Sequence, residues 1–495
     1  MSTDSTTTAG DVSAGLPREG RDRAWALALA AIVGAEFMLQ LDGTIVNVAL
    51  PALQSDLGLS VAGGSWVPNG FLLAFGGLLL FAGRLGDALG HRRVFLAGLG
   101  LIVVASLVAG LAPNAAVLLA GRVLQGAGAA IAGPTGLALL AIVFRGERQQ
   151  RAFGLYSTVT GLGASAGMVL GGVLTWAGDW RWSLLVNVPI GLVVAALAAR
   201  ALGVRDEATP SRSLGLRRVP GLPRVPGLPR VPGLPRVPGM RSALLSTATL
   251  AAAVYGLVHA AEKGWGDRWT PTALGAAVAL AAVLLLVDRR AAEPLLPLAV
   301  LAGRERAGAF AGLLLLAAVL TGFLIYLVQY LQGVLHLDAL RSGLAILPFG
   351  LALLVSTQIL TARIAAAGLR TRALLGLAVV LAGAAWLTRL DGGSAYAPDV
   401  LPALVVMGLG VGVAIVPLNM IVLTTAPAEY AGVAAGLLQT ALTIGGSLGL
   451  AAMLIPLGAN GLAEGISSVF AWACGALVAA LLVVAASWYR PGARG

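Results

Sequence analysis

Residues 24–50 read AWALALAAIVGAEFMLQLDGTIVNVAL, a run in which Glu36 and Asp42 are the only charged side chains. At 1.5 Å per residue such a helix reaches about 40 Å, more than the roughly 30 Å of a bilayer's hydrocarbon core. Thirteen further apolar stretches follow, near 62–83, 93–112, 115–143, 153–176, 182–200, 242–260, 270–288, 307–332, 341–362, 371–389, 400–423, 431–456 and 467–488. The expected fold class is all-α integral membrane, with 14 transmembrane helices.

The cations set the orientation. With the N-terminus placed inside, 27 of the 33 lysines and arginines fall in the inner gaps. The outer gaps hold only Arg181, Lys263, Arg268, Arg341 and Arg389, and Arg122 lies within the fourth span. An excess of Lys and Arg on one side marks the cytoplasm. The expectation is a multi-pass protein of the cell inner (cytoplasmic) membrane with both termini cytoplasmic. Residues 1–20 are polar, so no cleaved signal peptide is expected and the first span serves as the signal.

The chain is 58% hydrophobic and 11% charged, with a formal net charge of +11. In a soluble protein that charge would suggest nucleic acid. Here it reads as the positive-inside bias and contact with anionic lipid, so membrane lipid is an expected partner and nucleic acid is not. Cys474 is the only cysteine, which excludes an intrachain disulfide. The sequence holds no G-x-x-x-x-G-K-[ST], no metal-ligand cluster and no nucleophile motif, and His91, His259 and His336 are scattered. Neither an enzyme nor a cofactor is expected, and a monomer is.

Two repeats organise the chain. RVPGLP occurs three times in tandem at 218–235, followed by RVPGM at 236–240. Proline at this density excludes helix and favours extended polyproline conformation. The run reads as a linker lengthened by duplication or, alternatively, as a basic ribbon on anionic lipid. The second repeat is subtler. GRLGDALGHRR at 83–93 and TARIAAAGLRTR at 361–372 each place a glycine, Gly90 and Gly368, at the same offset before basic residues. Each joins the second and third span of a set of six. The expected domains are a disordered cytoplasmic N-terminus at 1–23, an N-terminal six-helix half at 24–200, and a cytoplasmic linker at 201–241. Two inserted helices at 242–306, a pseudo-symmetric C-terminal half at 307–488 and a tail at 489–495 follow. Duplicated six-helix halves are a transporter design with the substrate site between them.

Glu36, Asp42 and Arg122 are the ionisable residues deep inside spans, where such residues are costly and are functional candidates by default. Asp42 and Arg122 share a depth, so an ion pair or a common cavity would make both tolerable. At about 100° per residue, Glu36, Gln40, Gly43 and Asn47 form one polar stripe, with Asp42 about 120° away. Burial favours the neutral carboxyl and a neighbouring arginine the charged one, so a carboxyl between them can load and release protons. Helix–helix hydrogen bonding is the structural alternative for each acid. In the fifth span Gly163, Gly167 and Gly171 recur at intervals of four, beside Gly172, and permit close helix approach. Tyr326, Gln329 and Tyr330 in the ninth span and Gln439 and Thr443 in the thirteenth are candidate cavity walls; interhelical bonding is the alternative for them too.

Taken together, these segments resemble the major facilitator superfamily, in its fourteen-helix drug:proton antiporter branch, over residues 24–488. LDGTIVNVALPAL at 41–53 is similar to the motif closing the first helix of that branch, with Asp42 as its acid. GRLGDALGHRR resembles the superfamily's cytoplasmic gate motif at Gly83, Asp87, Gly90, Arg92 and Arg93. RVLQGAGAA at 122–130, GASAGMVLGG at 163–172 and WRWSLLVNVPIGL at 180–192 resemble motifs of helices four, five and six. Met168 stands where the helix-five signature usually has proline, and Ala365 replaces the acid in the second-half loop.

The resemblance implies alternating access driven by a proton gradient, with no other energy source. The leading expectation is a proton-coupled antiporter that exports small amphiphilic compounds, as in multidrug or antibiotic efflux. Proton-coupled transport of one metabolite and a non-transporting membrane sensor are the alternatives. With no acid at depth in the second half, neutral, anionic or singly charged lipophilic substrates are expected rather than dications.

Overall fold

The computed structural model describes residues 18–202, 240–291, 300, 302–426 and 431–488. The terminal segments and the RVPGLP repeats fall outside the described residues. What is described is helical, with no strand among the described residues. In hydrocarbon every backbone N–H and C=O must be bonded within the protein, and uninterrupted helices achieve this.

The first half comprises α1 (Arg18–Leu57), α2 (Val61–Leu89), α3 (His91–Gly110), α4 (Ala115–Val143) and α5 (Gly146–Ala177). Its sixth span is broken into α6 (Trp180–Leu185) and α7 (Asn187–Ala201). Pro189 lies in the first turn of α7, where its missing N–H costs no helical bond. The inserted pair is α8 (Met240–Lys263) and α9 (Trp269–Arg289). The second half comprises α10 (Arg304–Gly333), α11 (Ala339–Val355), α12 (Leu369–Leu387), α13 (Leu401–Thr425) and α14 (Ala431–Ser487). The helical run α14 doubles back, because a Cβ on Gly465 would lie 3.1 Å from Cα of Leu457. Eight residues of straight helix would separate them by about 12 Å. It therefore forms two spans, Ala434–Leu457 and Gly465–Ser487.

Among the described residues thirteen helical segments are long and apolar enough to cross a membrane. The remaining long helix is α2, 29 residues, which carries Ser65 and Asn69. Both are turned inward, at 2% and 0% exposure. The outer surface is apolar: Val278 is 71% and Leu482 65% exposed, as lipid contact requires. Exposed Trp176, Trp182, Trp265, Trp269 and Trp386 sit at helix ends on the arginine-poor side, a tryptophan belt at one interface.

The halves repeat their packing. α3 crosses α4 where a Cβ on Gly98 would meet the Ala132 nitrogen at 2.8 Å, and α12 crosses α13 where one on Gly410 would meet the Val380 nitrogen at 2.7 Å. Between the halves, Ser447 Oγ lies 2.8 Å from Asn69 Oδ1 and Gln332 Nε2 donates to the Val48 carbonyl at 2.9 Å. α5 meets α11 where a Cβ on Gly172 would lie 2.6 Å from the Ala339 oxygen and one on Gly343 2.7 Å from the Met168 oxygen. α8 lies against both α2 and α14 and so bridges the two halves; its Ser246 hydroxyl reaches the Gly77 carbonyl at 3.2 Å.

One expectation is corrected. Residues 83–93 are not a loop: α2 runs helical through Leu89 and α3 starts at His91. No proline interrupts Arg84–Leu89, so the ladder continues to a bond from Gly90 N–H to Gly86 O of 2.9 Å. Gly90 alone makes the turn, at φ +93°, a conformation only glycine adopts without strain.

Candidate functional site

Five helices of the first half converge on Asp42. Its Oδ2 accepts from Arg122 Nη1 at 3.0 Å, and its Oδ1 from Gln125 Nε2 at 3.0 Å and Asn187 Nδ2 at 2.6 Å. Gln125 also donates to the Ser106 hydroxyl at 2.8 Å and accepts from Arg122 Nη1 at 3.0 Å. The guanidinium carbon of Arg122 sits 4.6 Å from the Phe71 ring centre, and its Nε is 3.4 Å from the Val67 carbonyl. Asp42 is 2% exposed and Arg122 1%; Gln125, Ser106 and Asn187 are fully buried. Two opposite charges removed from water are tolerable because the carboxylate has three donors and the guanidinium three acceptors.

Glu36, further along α1, makes a second centre without a cation among the bonds described. Oε2 accepts from Tyr156 Oη at 2.6 Å, and Oε1 from Gln40 Nε2 at 2.8 Å and Thr160 Oγ1 at 3.0 Å. Both α5 residues are one turn apart and face α1. Gly43, on the same stripe, has open space where a Cβ would stand, whereas Asn47 is buried.

The glycines of α5 fix its distance from α1. A Cβ on Gly163 would lie 3.1 Å from the Phe37 carbonyl oxygen and one on Gly167 2.7 Å from that of Leu41; one on Gly171 would overlap that of Ile45. Thr44 Oγ1 donates across this seam to the Ala164 carbonyl at 2.9 Å. With Met168 in place of proline, α5 is unbroken from Gly146 to Ala177. Gly172 faces α11 instead, so the four glycines serve two interfaces.

At the expected gate, Gly83 lies within α2 with open space beside it. Arg92 Nη2 donates to the Ala199 carbonyl of α7 at 3.2 Å and Arg93 is exposed. The side chain of Asp87 is outside the described residues.

In the second half, two candidate cavity walls are corrected. Tyr326 and Tyr330 are fully buried, with their hydroxyls on the carbonyls of Leu450 at 2.8 Å and Asp391 at 2.6 Å. Their face of α10 packs on protein, and they tie it to α14 and to the segment after α12. Gln329 is also buried. Gln439 is half-buried; Thr443, at 5% exposure, caps back to the Gln439 carbonyl at 2.9 Å and packs against Gly76 of the first half.

The sequence reading brought Asp42 and Arg122 to one depth and missed Gln125, Asn187 and Ser106, and likewise Tyr156 and Thr160. The signals were present. Gln125 is one turn from Arg122, Asn187 is an amide in an apolar stretch before Pro189, and Tyr156 and Thr160 are a polar i, i+4 pair.

Comparison with known proteins bears on what this arrangement belongs to. Residues 32–450 match the family model described as Major Facilitator Superfamily. The puromycin resistance protein pur8 of Streptomyces alboniger is 39% identical over 86% of this chain and 80% of its own length. The cephamycin export protein CmcT of Amycolatopsis lactamdurans is 34% identical over 90% and 88%. The tetracenomycin C resistance and export protein of Streptomyces glaucescens is 34% identical over 88% and 76%. Among solved structures, a peptide transporter POT in complex with sulfate superposes with a TM-score of 0.65 at 15% identity, covering 93% of this chain and 94% of that one; the likeness is of fold. With a family model spanning most of its length and relatives above 30% identity, this chain is a multi-pass membrane transporter of the Major Facilitator Superfamily.

Proposed function

We propose that this transporter exports small amphiphilic compounds of antibiotic type from the cytoplasm in exchange for protons. The observation that carries the proton half of this reading is the buried Asp42–Arg122 pair. A proton on Asp42 would remove the charge that balances Arg122 in a dry site. A buried cation without its partner is strongly unfavourable, so Arg122 must turn towards water or other acceptors. Asp42 bonds α1 to α4 and α7, so its protonation loosens contacts among three helices at once. That is the kind of local charge change that biases two arrangements of a rigid-body transporter. Glu36 supplies a second acid on the stripe that runs past Gly43, and the residues around Gly90, with Asp87, form the cytoplasmic gate.

Export rather than uptake, and antibiotic-like substrates rather than one nutrient, rest on relatives named for resistance to or export of puromycin, cephamycin and tetracenomycin. The membrane is the cytoplasmic one, with the arginine-rich side inward. Everted vesicles loaded with the protein and energised by a proton gradient test the whole reading. Uptake of several unrelated lipophilic compounds that stops when an ionophore collapses the gradient is the expected result. Uptake insensitive to the gradient removes the proton, and uptake of a single metabolite removes the multidrug reading.

A further inference from the structure

We propose that the arginine-rich end of the second half holds one anionic phospholipid, its phosphate beside Arg304, Arg306 and Arg370 and an acyl chain between α12 and α14. Two cavities adjoin there. The first, about 360 Å³, is lined by Arg304, Glu305, Arg306, Thr425, Ser487 and Trp488. The second, about 480 Å³, is an apolar groove lined by Leu374, Leu375, Ala378, Leu481 and Leu482, with Arg370 at its end. Arg370 stacks over the Trp488 ring at 5.8 Å, so a lining residue of each cavity forms the wall between them.

Charge and shape agree on the occupant. Three arginines against Glu305 leave the pair of cavities net positive. Arg306 is 5% exposed and fixed, its Nε and Nη1 donating to the carbonyls of Val300 and Thr425. Arg304 and Arg370 are exposed and able to close on an anion. The groove opens on the lipid-facing surface, where Leu375 is 52% and Leu482 65% exposed. A free phosphate would use only the first cavity; a phospholipid uses both, with tryptophan at the level of the headgroup.

The first half shows that this is not a general property of the fold. By the offset from Gly90 and Gly368, Arg92 is the counterpart of Arg370. Arg92 is tied to the Ala199 carbonyl of α7 at 3.2 Å. Arg370 lies over Trp488 at the end of α14 instead, and lines the groove.

Native mass spectrometry of the full-length protein, offered phosphatidylglycerol or phosphatidylcholine of the same chains, tests the proposal. Wild type is expected to retain one phosphatidylglycerol preferentially. Arg304→Gln with Arg370→Gln should weaken that retention roughly thirtyfold, two surface cations being removed, and leave phosphatidylcholine unchanged. Arg304→Lys with Arg370→Lys should restore it. Ala378→Trp, which fills the groove, should abolish the preference, and millimolar inorganic phosphate should not displace the lipid. Equal retention by wild type and the double Gln variant overturns the proposal. Displacement by phosphate with no effect of Ala378→Trp overturns the lipid in favour of a free anion. Should the Gln variant not fold, a salt titration of wild type decides: retention must fall with ionic strength, and no dependence overturns the phosphate contact.

Discussion

In the first half, α5 lies on α1 through Gly163, Gly167 and Gly171; in the second, α14 lies on α10 through Gly445 and Gly449. A Cβ on Gly445 would stand 2.9 Å from the Leu314 carbonyl carbon, as close as the α5 glycines come to α1. The packing is thus duplicated, while the chemistry inside it is not. α1 buries Asp42 and Glu36, and three other helices supply Arg122, Gln125, Asn187 and Tyr156 to them. α10 buries Tyr326, Gln329 and Tyr330, which are neutral, and the bonds described for the two tyrosines go to backbone carbonyls. A charge inside the membrane demands dedicated partners, whereas a tyrosine hydroxyl needs one acceptor. On the proposed function, coupling chemistry would belong to the first half and rigid support to the second.

The largest effect is expected where that contrast is sharpest. Asp42→Asn leaves Arg122 in place without its carboxylate, a break of a buried pair that is worth about 3–5 kcal/mol in other proteins. Proton-driven uptake into everted vesicles should cease while radiolabelled substrate still binds to purified protein. Normal gradient-driven uptake by this variant would remove the first half's claim to the coupling step. Next comes the seam that both halves share. Gly167→Val places methyl groups against Thr44 and the Leu41 carbonyl, and overpacking of this kind costs about 1–3 kcal/mol or more. Gly154→Val on the same helix meets open space and serves as its control. A fall in folded protein for the first and none for the second is expected by fluorescence-detected size exclusion; equal yields would mean that the α1–α5 approach is loose.

A smaller and more pointed test pairs one residue from each half. Glu36→Gln keeps an acceptor for Thr160 or Tyr156 but removes the charge, so the pH profile of transport should shift. Tyr326→Phe removes one neutral hydrogen bond, about 1 kcal/mol of stability, and should leave that profile in place. If both variants moved the profile alike, the division of labour between the halves would fail.

How much of this was legible beforehand follows from what a linear pattern records. The spans were legible because hydrocarbon thickness sets their length, and the expected 115–143 coincides with α4. Depth was legible too, since residue counts along Asp42's and Arg122's helices measure it. Rotation between helices was not. The polar face of α10 was read as a cavity wall, yet Tyr326 turns towards Leu450, a choice made by how α14 packs. Residues 83–93 look like a loop in the sequence because the apolar run ends at Gly83; Arg84–Leu89 keep the helical ladder in the structure. Asn187 lay unnoticed because one amide in an apolar run signals nothing until Asp42 stands beside it.

The smallest effect is expected in the segment that joins the halves. Residues 219–236 comprise three repeat lengths of RVPGLP, and their removal leaves more than twenty residues of the expected linker 201–241. An extended chain covers about 3.3 Å per residue, so the remainder still spans the distance between neighbouring helix bundles. Doubling a loop's length costs only about 0.6 kcal/mol in closure entropy, so repeats can accumulate without a purpose. The halves meet through their helices, in bonds such as Ser447 to Asn69 and Gln332 to Val48, and α8 bridges them. Those contacts, rather than the linker, should set how one half moves on the other. Transport by the deletion protein should therefore match wild type in both neutral and anionic liposomes. Activity of the deletion protein lost only in anionic liposomes would instead show that Arg224, Arg230 and Arg236 work against the lipid surface, where attraction is screened within about a Debye length.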